Sequence, residues 1–180
     1  QAINDVFFDL LPPVIAIESP SSGSRFNVPI LTYSSNEEMG KSKITFTRTG
    51  GAQDPQSPHV VNLSGERLKQ GAHYDESFEN DIILRDGSVY SISFVAEDMA
   101  GNIADEVSVD NITYDSTGPE MVILNPKPSI FSNQINVDFS LNESLSSGKI
   151  IIERTGGPND SSSPHEITLL DDQLIQSLKL

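Results

Sequence analysis

The sequence predicts an all-β protein built of antiparallel β-sandwiches in tandem, and three observations lead there. The first is a repeat: Arg48-Thr49-Gly50-Gly51 returns as Arg154-Thr155-Gly156-Gly157, and Ser57-Pro58-His59 as Ser163-Pro164-His165, each 106 residues on. Residues 9–74 laid over 115–180 without a gap give 21 identities in 66 positions. The second is alternation of apolar and polar residues, with nothing of helical length and period. The third is punctuation, since Gly, Pro, Asn, Asp and Ser clusters fall about every 8 to 15 residues. A fixed period near 100 residues matches one small β-domain, and head-to-tail copying suits spacers better than active sites.

Within one repeat the elements follow in order. Val14-Ile15-Ala16-Ile17 reads as a short strand ended by Ser19-Pro20-Ser21-Ser22-Gly23. Residues 26–34 alternate and break at Ser35-Asn36-Glu37-Glu38-Met39-Gly40. Lys43-Ile44-Thr45-Phe46-Thr47 is a third strand, Val60-Val61-Asn62-Leu63 a fourth and Asp81-Ile82-Ile83-Leu84 a fifth. Residues 89–97 place Tyr90, Ile92, Phe94 and Ala96 on one face, and a last strand runs over 103–114. Residues 68–74 suit a single helical turn. Seven strands in about 106 residues fit an antiparallel sandwich with an independent core.

One local pattern narrows the class. In Leu84-Arg85-Asp86-Gly87-Ser88-Val89-Tyr90 a Tyr follows a strand Leu across a tight Asp-Gly turn. In immunoglobulin-like sandwiches such a Tyr bonds the backbone at the corner before its strand. The alternative is a core aromatic with a solvated edge. Glu97-Asp98-Met99-Ala100-Gly101-Asn102 then marks a hairpin, and Tyr114-Asp115-Ser116-Thr117-Gly118-Pro119 leads into the next apolar run. Together, the Asp-x-Thr-x-Pro lead-in, the Asp-Gly-x-Tyr corner and the Asp-x-Ala-Gly-Asn hairpin resemble the bacterial immunoglobulin-like (Big-type) tandem repeats of large secreted surface adhesins. The first lead-in departs from the pattern, reading Asp9-Leu10-Leu11-Pro12-Pro13 without the Thr. The resemblance spans the chain and implies an extracellular, cell-surface setting with calcium-stiffened junctions between repeats.

The repeat divides the chain into a last-strand remnant of a preceding unit (1–8), a complete unit (9–114) and a truncated second unit (115–180). The expectation is that both ends fall inside repeats, and that the second unit needs strands from a longer chain or from a neighbour. The net charge of −15, from 26 acidic and 11 basic residues, argues against nucleic acid, whose affinity comes from Lys and Arg neutralising phosphates. It argues equally against an anionic membrane surface. No apolar run approaches a membrane-spanning length, and the absence of cysteine removes disulfides and thiol chemistry.

Chemistry concentrates at one pole. In such a sandwich the loop at 35–40, the hairpin at 98–102 and the lead-in at Asp9 lie together. They bring Asp9, Glu37, Asp98 and Asn102 into one cluster, and a second junction would use Asp115 and Glu143, with Asp86 beside them. Several oxygens from three segments suit Ca²⁺, which takes 6 to 8 oxygen ligands. Turn chemistry explains the same residues, because Asp98 and Asn102 can cap the hairpin amides and Asp115 can do so ahead of Thr117. Both readings stand at this point.

The segment from Arg48 to His59 is the most faithfully repeated. A catalytic pairing of His59 with Ser57 or Asp54 lacks a third group and an oxyanion hole, and it would recur in the next unit. The expectation is an ordered loop in which Gly50-Gly51 turn, Arg48 pairs with Asp54 and His59 opens the next strand. His59, His73 and His165 do not stand at zinc spacing. The sequence therefore predicts no enzyme and no catalytic residue, but an extracellular stalk, spacer or surface-filament segment. Its partners would be neighbouring repeats, like subunits in a filament, or a host or surface ligand bound by other domains. The alternative is a carbohydrate-binding module of a secreted enzyme, which the lack of Trp disfavours.

Overall fold

The computed structural model describes residues 8–129, 131–132, 134–176 and 178–179. The chain is mostly β-strand, as its period-two patterning requires. Among the described residues no helix is long and apolar enough to cross a membrane. Two compact units part between Thr117 and Gly118. The expected remnant strand over 1–8 lies outside the described residues, apart from the exposed Phe8.

The first unit runs β1 (Ile15–Ser19), β2 (Arg25–Phe26), β3 (Ile30–Ser35), β4 (Met39–Gly51), β5 (His59–Asn62), β6 (Gly71–Ser77), β7 (Ser88–Asp98) and β8 (Val107–Tyr114). A 3-10 turn occupies Gly65–Leu68. One antiparallel sheet has the order β1-β3-β6 and the other the order β2-β8-β7-β4-β5. In the second sheet every pairing is antiparallel except β2 with β8, where Arg25 and Phe26 run parallel beside Thr113 and Tyr114.

β7 shows why these strands form. Every second residue of Ser88–Asp98 is buried, so one face of the pleat carries Tyr90, Ile92, Phe94 and Ala96 inward. Across from it, Ile44 and Phe46 of β4 are fully buried in register with Phe94 and Ile92. Leu31 and Tyr33 of the other sheet join the same cluster, with the Tyr33 and Phe94 rings edge to face at 5.2 Å. Burying each of these large side chains contributes about 1.5–3 kcal/mol, before conformational entropy is set against it.

Three sequence expectations differ from what forms. The expected strand over 26–34 splits into β2 and β3, which belong to different sheets. Pro29 lies at the break, and its carbonyl accepts the Phe78 amide instead of continuing a ladder. The expected strand over 81–84 is not a strand. Asp81 and Ile82 both donate to the Phe78 carbonyl in a turn, which lets Ile82 and Leu84 reach the core without a ladder. The strand at that edge is β6, one segment earlier, where a helical turn was expected over 68–74; the turn itself sits at Gly65–Leu68. β6 is mostly exposed and holds Asp75 at a positive φ of 51°, so it carries no apolar alternation to read.

The second unit runs β9 (Met121–Asn125), β10 (Asp138–Leu141), β11 (Lys149–Ile152), β12 (His165–Thr168) and β13 (Leu178–Lys179), with a 3-10 turn at Asp171–Leu174. Its sheets are β13-β10-β9 and β11-β12, both antiparallel. The core is small: Phe139, Leu141 and Leu169 are buried, with Met121, Val137, Leu145, Ile150 and Leu174 packed on them.

Candidate functional site

At the end of β7, the chain must reverse within Asp98–Asn102, and Asp98 makes that reversal. Its Oδ1 accepts the Ala100 and Asn102 backbone N–H groups, both at 2.8 Å, and its Oδ2 accepts the Asn102 side-chain amide at 2.7 Å. Gly101 takes a positive φ of 95°, the conformation such a turn needs. The Asn102 amide also donates to the Asp9 carbonyl at 3.2 Å, which ties the lead-in to the hairpin. Glu37 comes from the turn between β3 and β4.

Ligand oxygens of Asp9, Glu37 and Asp98 lie within 4.8 Å of one another, with Asp98 buried, Glu37 half-buried and Asp9 exposed. Burial pushes the Asp98 carboxyl up, but the hydrogen bonds from Asn102, Ala100 and Gly101 outweigh it and hold the group below the ordinary value. Glu37 goes the other way, raised by burial and then by the charges of Asp9 and Asp98. The charged form of Glu37 is therefore the disfavoured one of the cluster, while the turn's hydrogen bonds favour the charged form of Asp98. Such a triad of oxygens can receive a hard cation. Asn102 meets Asp98 through its amide N–H, so it acts here as a clamp on the turn.

The remaining acidic residues are engaged differently. Asp115 makes a 3.2 Å ion pair with Arg25, whose side chain is largely exposed, a contact of the kind that contributes at most about 1 kcal/mol. Asp86, not Asp115, caps the segment ahead of Gly118: it accepts the Ser116 amide at 2.6 Å and the Thr117 hydroxyl at 2.8 Å. The Ser116 amide is the largest reason its carboxyl lies below the ordinary value. Glu143, in the second unit, has a buried Oε1 without a hydrogen-bond partner among the described residues.

A second polar cluster sits under the repeated loop; the sequence offers the His59–Asp54 pairing only as a catalytic one and does not join Tyr90 to it. Asp54 and His59 are almost wholly buried, and His59 Nε2 lies 2.6 Å from Asp54 Oδ2. The Tyr90 hydroxyl donates to the same oxygen at 2.6 Å and accepts the Arg85 amide at 2.9 Å. Burial pushes Asp54 up, yet the bonds from Tyr90 and His59 bring it below the ordinary carboxylate value. Tyr90 is raised by burial and then by its bond to Asp54. The expected Arg48–Asp54 pair does not form. The Arg48 guanidinium donates instead to the Ala52 and Gly51 carbonyls at 2.6 and 2.7 Å, closing the loop on itself. Ser57 Oγ accepts the Arg48 amide at 2.7 Å.

The second unit repeats the loop's own bonds, without a counterpart of the Tyr90 hydroxyl among the described residues. Ser163 Oγ accepts the Arg154 amide, the Arg154 guanidinium donates to Pro158 and Gly157 carbonyls, and His165 meets Asp160 at 2.7 Å. Asn142 accepts the Glu120 amide as Asn36 accepts the Val14 amide, both at 2.7 Å. Each of these pairs is related by the 106-residue offset. Comparison with protein-family models, with curated proteins and with solved structures yields no match for this chain.

Proposed function

We propose that the chain is a non-catalytic segment of an extracellular surface protein, built of immunoglobulin-like sandwiches in tandem and acting as a stalk, spacer or surface-filament unit. The observation that carries this reading is the recurrence of one hydrogen-bonded loop at a 106-residue offset, in Arg48–His59 and again in Arg154–His165. Two copies of one self-bonded loop suit repetition of a structural part. The sandwich reading is supported by two sheets sharing one core and by the Tyr90 hydroxyl bonded to backbone at the corner before β7.

A mechanical role draws support from the parallel pairing of β2 with β8. These strands stand near the beginning and end of the first unit, so tension along the chain loads their hydrogen bonds in shear. Gly23 donates to the Asp110 carbonyl, Thr113 to Ser24 and Asp115 to Phe26, which extends the clamp beyond the two paired residues. In this reading Ca²⁺ held by Asp9, Glu37 and Asp98 pins the lead-in to the unit. The test is labelling of intact cells of the source organism with antibody raised against the chain. Labelling without permeabilisation is expected, and labelling only after permeabilisation would remove the surface role.

A further inference from the structure

We propose that the outer edge of β5 is an interface between copies of this chain, the two β5 strands pairing antiparallel about a two-fold axis centred on Val61. The inference stands on the edges of the first unit, and on neither calcium nor surface display.

β5 borders β4 alone, so its other side is open among the described residues. Open strand edges invite pairing, and proteins blunt them with charges, bulges or very short strands. The other edges of the first unit are guarded in these ways. β1 carries Glu18 and a break in its register, and β2 is two residues long with Arg25. β6 carries Glu76, another break and Asp75 at a positive φ. β5, His59-Val60-Val61-Asn62, has no Asp, Glu, Lys or Arg and pairs with β4 without a break. Val60 is 49% exposed there, and an open cavity of about 600 Å³, not a covering segment, flanks His59 and Val60.

The second unit carries the charge that β5 lacks. At the 106-residue offset Val60 becomes Glu166, which makes a 3.0 Å ion pair with Lys149 on the neighbouring strand. Lys149 corresponds to Lys43, which the first unit keeps without an ion-pair partner among the described residues. This strand position therefore accepts a Glu, with a Lys beside it to receive the charge, and the first unit holds a Val there instead.

Backbone geometry sets the pairing. The Leu63 amide donates to the Ser42 carbonyl at 2.9 Å, and bonds in an antiparallel ladder fall on alternate pairs. His59 and Val61 therefore bond β4, whereas the N–H and C=O groups of Val60 and Asn62 point outward. With the axis at Val61, Val60 of each copy lies opposite Asn62 of the other, and every outward group of the strand is paired. An axis at Val60 would instead set the Asn62 carbonyl against Pro58, which has no N–H. The occupant is a second copy because the strand is self-complementary and uncharged. Each chain carries a net charge of −15, and self-pairing through β1 or β6 would bring Glu18, or Asp75 and Glu76, against their own kind. A pairing of four residues is small, so its affinity is weak.

The test is sedimentation of the full chain from micromolar to millimolar concentration, in about 0.5 M salt to screen the net charge. A monomer–dimer equilibrium is expected, with the Val60 and Asn62 amides exchanging more slowly as concentration rises. Val60→Glu should weaken association by roughly tenfold or more. Its urea unfolding should stay close to wild type, because Glu166 already occupies the corresponding position. Asn62→Pro is a second variant that removes one outward N–H and no bond to β4, and it should weaken association likewise. A chain that stays monomeric throughout would overturn the interface. So would a dimer that both variants leave intact, or one in which exchange at Val60 and Asn62 ignores concentration. None of these outcomes bears on whether the chain labels intact cells, so the two readings fail separately.

Discussion

Replacing Tyr90 by Phe keeps the ring in the core and removes only its hydroxyl. Two bonds go with it: the donation to the buried Asp54 carboxylate at 2.6 Å and the acceptance of the Arg85 amide at 2.9 Å. A hydrogen bond to a charged group is worth about 1.5–3 kcal/mol and a neutral one about 0.5–1.5. Arg85 is exposed, so water replaces part of the second bond. The expected loss is about 2–4 kcal/mol, or roughly 8–16 °C in the melting of a unit of this size. All four tyrosines lie in the first unit and there is no Trp, so tyrosine fluorescence during urea unfolding reports that unit alone. The pH dependence gives a second check. The Asp54 carboxyl is held below its ordinary value when folded, so its contribution is complete above the unfolded value of about 3.9 and fades as pH falls through the folded one. The gap between wild type and Tyr90→Phe should therefore narrow below about pH 4. A loss under about 0.5 kcal/mol at neutral pH would refute the buried Tyr–Asp–His network as a stabilising element.

Further predictions separate the two units and probe the acidic pole. Gly51→Ala forces a Cβ against the Gly87 carbonyl at a φ of 67° and should destabilise the first unit by more than about 2 kcal/mol. Gly157→Ala meets open space at a φ of 80° and should cost only the left-handed backbone penalty of about 1–2 kcal/mol; equal losses in urea titrations would contradict the difference between the loops. The Glu37 carboxyl is raised in the folded state, so its ionisation opposes folding as pH rises through that value. Without metal, Glu37→Gln should raise the midpoint at neutral pH. In the same melts Ca²⁺ should raise the wild-type midpoint over EGTA and raise that of Glu37→Gln less; identical wild-type melts would end the calcium reading.

What could be read from the residues depended on how local the cause was. β7 is legible because its alternation is unbroken from Ser88 to Asp98. The Asp98 cap is legible because donor and acceptor lie within four residues. β6 was not, because an exposed edge strand with His73, Asp75 and Glu76 has no apolar face to betray it. The strand expected at 81–84 failed for the opposite reason: Ile82 and Leu84 are buried by packing rather than by pairing. The Asp54–Tyr90 bond joins residues 36 apart. Nothing in the spacing of Arg48 and Asp54 reveals that Arg48 would turn to the carbonyls of its own loop. The proximity of Asp9, Glu37 and Asp98 follows from placing three loops at one pole, whereas the Arg25 that occupies Asp115 comes from β2, a strand the sequence does not separate from β3.

Single-molecule extension of the full chain, held at its two ends, tests the mechanical reading most directly. Shear loading of the parallel β2–β8 clamp predicts that the first unit gives way in one discrete step, releasing on the order of 350 Å for about 106 residues at roughly 3.3–3.6 Å each. Arg25→Ala together with Thr113→Pro, which removes the Arg25–Asp115 ion pair and the Thr113 amide bond to Ser24, should lower the force of that step. Gradual lengthening with no discrete step would contradict a role in bearing tension.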